Sequence, residues 1–223
     1  MIANPPLWGF SILLAGIIAI ARFKKIGKLY LPFIFCIWIG CINEILSYIL
    51  VVNGLHSAVN NNIYVLAEAL LLLVFFKNTG LFQKAPALFK IFFAGLVLLW
   101  LWENGIEGKI THVSSWFRIT SSFLMVLISL AVISKLVLFD INRPFEMQKV
   151  SMFTSPVFLI CLGTIVFFTF KLSVEIFWVY GLNHSAGFRI KLYHILIYFN
   201  LIVNGVYALA ILWMLPKQQY IMR

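Results

Sequence analysis

The sequence predicts an all-α polytopic transmembrane bundle of seven helices, N-terminus outside and C-terminus cytoplasmic, and three observations carry that prediction. The first is composition: of 223 residues, 63% are hydrophobic, 17% aromatic and only 11% charged, with a mean hydropathy of +1.02. A soluble domain would carry about a quarter charged residues, so this chain belongs in a bilayer. The second is rhythm: seven apolar runs lie near 7–22, 30–52, 60–77, 86–102, 114–138, 153–179 and 190–215. Each comes close to the ~20 residues that cross ~30 Å of hydrocarbon.

The third observation is where the positive charge falls. Counted over alternate loops, Lys and Arg number four in 22–28, three in 77–90, three in 135–149 and two at the C-terminus. The opposite side holds only Lys109, Arg118, Arg189 and Lys191, with Lys171 inside a run. The positive-inside rule places the richer side in the cytoplasm, giving a multi-pass protein of the cell (inner) membrane.

Each run has its own justification. The first follows Pro5 and Pro6, and its charges (Arg22, Lys24, Lys25, Lys28) come after the apolar part. A cleaved signal peptide carries them before it, so this is read as a retained first helix. The second and third flank a polar corner at 53–62, and Trp100, Trp102 and Trp116 mark an outer interface between the fourth and fifth. Pro156 sits in the first turns of the sixth, where a missing amide is tolerated, and Trp178 and Tyr180 close it. Pro216 and Lys217 end the seventh. The whole chain reads as one domain. The runs do not align as repeated halves, which disfavours an inverted-repeat transporter.

Several function classes drop out on composition. The surplus of ten positive charges is spread as short topology signals, so nucleic acid is not an expected partner. The three cysteines, Cys36, Cys41 and Cys161, all lie inside apolar runs, which argues against a disulfide framework. His56, His112, His184 and His194 map to the outer side, yet no His pair has metal-ligand spacing, so no metal or cofactor is expected.

The candidate site centres on 41–68. If the corner turns near His56, Glu44 and Glu68 lie at one depth, and so do Tyr48 and Tyr64. Each helix would then show a tyrosine one turn above a carboxylate. Two such carboxylates cannot both stay ionised cheaply, so either one holds a proton or a cation such as Lys171 or Arg118 sits between them. In the seventh run, Tyr193, Asn200, Asn204 and Tyr207 share one face, with His194 about 100° around. Lys171 and Glu175, four apart, could pair with each other. The ligand-binding candidates are therefore Glu44, Tyr48, Tyr64, Glu68, Arg118, Lys171, Tyr193, His194, Asn200 and Asn204. With Ser121, Ser122 and Glu175 they fall in the outer half or near the midplane, which describes a cavity open to the outside.

Retinal, animal-receptor, sugar-exporter and alkaline-ceramidase patterns are all missing their key residues. Over its whole length, the chain resembles the small, uncharacterised bacterial seven-helix membrane proteins that accompany sensor kinases. The likeness rests on the architecture, the short basic tail and the stretch Tyr-Phe-Asn-Leu-Ile-Val-Asn at 198–204. It implies a membrane partner such as a sensor kinase and supplies no site residues. The reading is a sensor-like or receptor-like module in the lipid bilayer that takes a small extracytoplasmic or lipid-like ligand and relays to a partner protein. The alternatives are an intramembrane enzyme acting on a lipid or lipid-linked substrate, and a structural or assembly subunit of a membrane complex.

Overall fold

The computed structural model describes residues 10–112, 115–141, 154–179 and 186–214. Over them the chain forms seven α-helices: α1 (Ile12–Arg22), α2 (Leu31–Val52), α3 (Ala58–Asn78), α4 (Pro86–Leu101), α5 (Ser115–Ile141), α6 (Pro156–Val179) and α7 (Ala186–Trp213). No strand occurs among the described residues. Five stretches are long and apolar enough to cross a membrane: Lys28–Val52, Ala58–Asn78, Pro86–Ile106, Trp116–Leu138 and Pro156–Phe177. Tyr198–Trp213 in α7 is a shorter apolar helix. With 11 residues, α1 is shorter than the predicted first run and rises only ~16 Å.

Local chemistry sets the ends. Proline occupies the opening turn of α2, α4 and α6, where its fixed φ suits the helix and its missing N–H was an orphan anyway. α2 stops at Asn53 because Gly54, at φ 71°, turns the chain left-handed. Gly80, at φ 86°, does the same after α3, and Lys135 Nζ on α5 donates to its carbonyl at 3.0 Å. α4 runs on through a π-helical turn at Trp102–Ile106, which buries Glu103 and Asn104.

The helices pack as a ring: α1 on α2, α2 on α3, α3 on α5, α5 on α6, α6 on α7 and α7 back on α1. α4 lies outside the ring against α3 and α5 and has a single buried residue, Leu96. Small residues let the backbones approach, as is usual where no hydrophobic force separates helix from lipid. A Cβ on Gly40 would collide with Ile12 of α1, and one on Gly163 would come within 2.6 Å of the Tyr207 ring. The outward faces are apolar: Ile17, Ile20, Ile91, Leu98, Leu138 and Ile202 are each at least 61% exposed. A water-facing surface would not carry such a continuous greasy belt, whereas lipid tails match it.

The two ends of the bundle differ. One collects Arg22, the 23–30 segment, the ends of α3, α5 and α7, and most of the lysines. There the Arg22 guanidinium donates to the carbonyls of Leu212, in the last turn of α7, and Met214, just past its end. A basic side chain at that end of a helix also suits its dipole. The other end holds the α2–α3 corner, residues 102–112 and the end of α6.

Candidate functional site

Apolar faces from five helices leave a cavity of about 100 Å3 inside the ring. α1 contributes Ile12; α2 contributes Phe33, Cys36, Ile37 and Glu44; α3 contributes Tyr64, Glu68 and Leu72. α6 adds Phe167 and Phe168, and α7 adds Asn200, Val203, Asn204 and Tyr207. The spacing explains the selection: 33, 37 and 44 repeat along one face of α2, 64, 68 and 72 along α3, and 200, 204 and 207 along α7. The walls are mostly apolar and the polar atoms few, as in ligand cavities generally.

Glu68 is the structural anchor of this space. It is buried, accepts from Tyr64 Oη at 2.8 Å through one oxygen, and accepts from Lys171 Nζ at 2.9 Å through the other. The Lys171 ammonium also stands 5.3 Å and 5.0 Å from the ring centres of Phe167 and Phe168, within cation–π range. An ion pair inside a bilayer thus locks α3 to α6, and its charges cancel.

Glu44 is different. It is half-buried, lines the same cavity, and no hydrogen bond or ion pair reaches it among the described residues. Asn200 Oδ1 is buried and likewise has no hydrogen-bond partner. Asn204 donates to Ser11 Oγ at 2.8 Å, which ties α7 to the start of α1, and Tyr207 shares a hydrogen bond with Thr164 at 3.3 Å. Asn200 Oδ1 is an unsatisfied buried polar atom, which is uncommon, and with the half-buried Glu44 carboxylate it makes the chemically open pair of the cavity.

Five of the ten predicted residues therefore line one space: Glu44, Tyr64, Glu68, Asn200 and Asn204. Lys171 joins through Glu68. Tyr48 does not belong: it is 42% exposed and packs edge-on against Phe10 at 5.6 Å, so the two-tier symmetry across the corner fails. A full turn beyond Glu44 on α2, the Tyr48 ring meets Phe10, just before α1, and not the side chains that line the cavity. The neighbouring buried side chain is Asn43, which accepts from Asn60 Nδ2 at 2.9 Å. Nor does a cation sit between the carboxylates; Lys171 goes to Glu68 alone.

The expected pairing of Lys171 with Glu175 is also replaced. Lys171 reaches α3, and Glu175 meets Arg118 of α5 at 3.5 Å. Each finds its counter-ion on another helix, and an interhelical pair fixes packing where an intrahelical one would not. Tyr193 and His194 lie on α7, but their side chains, like all of His184, fall outside the described residues.

Arg118 belongs to a second buried cluster that the sequence did not flag. Asn62, fully buried, donates to the carbonyls of Ile110 and His112 at 3.1 and 2.6 Å, and its side-chain oxygen accepts from Arg118 at 3.4 Å. Trp100 Nε1 donates to the Asn62 carbonyl at 2.9 Å. Glu103, also fully buried, accepts from the backbone amides of Trp116 and Phe117 at 3.1 and 2.7 Å and so caps α5 from another helix. A carboxylate there satisfies orphan amides and faces the positive end of the dipole. Nothing local in the sequence announces a cap supplied thirteen residues upstream. Outside the spans, the Glu107 carboxylate, 2.6 Å from Lys109 Nζ, holds that ammonium above the usual lysine range.

Among the described residues, no group of three or more His, Cys, Asp or Glu side chains could hold a metal ion. No family model, curated protein or solved structure matches the chain.

Proposed function

We propose that this protein is a seven-helix module of the bacterial inner membrane, N-terminus outside and C-terminus cytoplasmic, that senses a small polar or amphipathic ligand and relays it to a partner membrane protein. The observation that carries the reading is the cavity in which Glu44 and Asn200 Oδ1 have no partner among the described residues. Glu68, Glu103 and Asn62 each find their bonds on another segment of the chain. Two side chains that decline to do so, on helices facing each other across one space, await a guest.

Because five helices meet at the cavity, a guest bridging Glu44 on α2 and Asn200 on α7 would shift the α1–α2 pair against α6–α7. A ligand biases a two-state packing only through contacts that differ between the states, and these two groups supply them. The output would pass through the basic end of the bundle to a partner such as a sensor kinase.

Two experiments test this. Protein purified in lipid nanodiscs and extracted for mass spectrometry should release a small molecule that is depleted in Glu44→Gln and Asn200→Leu. Single cysteines at Gly54 and Ile106 should react with a membrane-impermeant maleimide in intact spheroplasts, and cysteines at Lys25 and Lys84 should not; the reverse pattern removes the proposed orientation.

A second reading, a subunit whose polar groups only order the bundle, draws on the Tyr64–Glu68–Lys171 network. It predicts that Glu44→Gln changes stability and no binding.

A further inference from the structure

The chemistry of the cavity selects one class of guest, and this inference rests on the reading of the cavity as a ligand site. Two carboxylates, Glu44 and Glu68, line the space, and one ammonium, Lys171, serves them. That ammonium bonds Glu68, and among the described residues no cation pairs with Glu44. The second open group, Asn200 Oδ1, is an acceptor as well. Acceptors that lack donors call for a ligand that donates.

The walls narrow the choice further. Phe33, Phe167, Phe168 and Tyr207 turn aromatic rings to the space, and Ile12, Ile37, Leu72 and Val203 complete an apolar lining. A bare metal ion needs six or more oxygens and gains nothing from such walls. An alkylammonium uses both: its N–H groups meet Glu44 and Asn200, its charge meets ring faces, and its alkyl tail meets the aliphatic side. The protein already contains the precedent. Lys171 is a primary ammonium held at 2.9 Å by a carboxylate and at 5.0 Å by a phenyl face.

Size sets the upper limit. An apolar cavity of ~150 Å3 holds benzene, so one of about 100 Å3 takes a ligand of about five heavy atoms.

We infer that the cavity binds a small protonated primary amine, its ammonium between Glu44 and Asn200 and its short alkyl chain against Ile37, Leu72 and the phenyl rings. Glu44 supplies the counter-charge; Asn200 supplies the second acceptor; Lys171 keeps Glu68 occupied, so the site takes a monocation and not a dication.

The test uses the full chain in nanodiscs at constant ionic strength, with thermal unfolding followed against n-butylammonium, n-butanol, butyrate and Na+. Expected is a saturable rise in melting temperature with n-butylammonium and none with the other three. In Glu44→Gln the apparent affinity should fall at least tenfold, while Glu44→Asp, which keeps the charge, should retain most of it. Since Glu44 bonds nothing in the protein, the Gln variant should fold, and its ligand-free melt checks that it does. A saturable response to butanol, butyrate or Na+ that Glu44→Gln leaves unchanged overturns the amine and leaves the cavity a site for something else. No response to any probe, together with a ligand-free melt of Glu44→Gln shifted from that of the parent chain, overturns both the amine and the ligand-site reading.

Discussion

The two buried polar clusters are built from the same residue types and end in opposite states. Near the α2–α3 corner, Asn62, Glu103, Arg118 and Glu175 spend nearly every polar atom on the protein: backbone carbonyls, the first amides of α5, and one another. Arg118 Nε and Asn104 Oδ1 are buried there without a bond. In the cavity, Glu68 is as fully engaged, whereas Glu44 and Asn200 Oδ1 bond none of the described residues. A buried charge alone is thus no pointer to function in this molecule. What separates scaffold from site is whether the bonds close within the protein and whether space remains beside the groups that stay open.

That difference can be broken or sharpened by substitution, beginning with the largest effect. Lys171→Met strands the Glu68 carboxylate in a low-dielectric interior and should destabilise the bundle by about 3–5 kcal/mol, read by unfolding in denaturing detergent. Adding Glu68→Gln should recover most of that loss, because the stranded charge goes with it. Glu103→Ala removes the charged acceptor for two amides and should destabilise by about 2–3 kcal/mol, with hydrogen exchange accelerating at Trp116 and Phe117. Asn60→Ala deletes the bond from α3 to Asn43 on α2 and should lower stability by about 0.6–1.7 kcal/mol. Glu44→Gln should change unfolding by less than about 0.5 kcal/mol, since it breaks no bond. A loss in Glu44→Gln as large as that in Lys171→Met would erase the contrast between the clusters.

A packing variant tests the walls independently. Gly163→Ala places a methyl against the Tyr207 ring, so α6 and α7 must part or the ring must turn. Overpacking of this kind should lower stability by about 1–3 kcal/mol, and the displaced Tyr207 should weaken ligand response more than Glu44-independent properties.

Some of the site was legible in the chain. The face shared by Asn200, Asn204 and Tyr207 follows from helical periodicity, and all three line the cavity. Glu44 and Glu68 stood out as carboxylates inside apolar runs, where charge is expensive. Tyr48 misled because a symmetric count from an assumed corner fixes depth and leaves azimuth undetermined. Glu103 and Asn62 stayed hidden because their partners are backbone groups of distant segments, which have no sequence signature.

By itself, the sequence determined the all-α class and the apolar character of the helices, since composition and run length depend on transfer energy and helical rise, both local quantities. It also placed the boundaries of most helices within a few residues, through the length of each apolar run. Which helices adjoin, that α4 stands outside the ring while α1 closes it, that Lys171 chooses Glu68 over Glu175, and that Glu44 is left without a partner were decided only by the tertiary structure. The physical reason is that pairing depends on the direction in which each side chain leaves its helix. Residues four apart share a helix face, and their sequence pattern is the same whichever neighbouring helix that face meets.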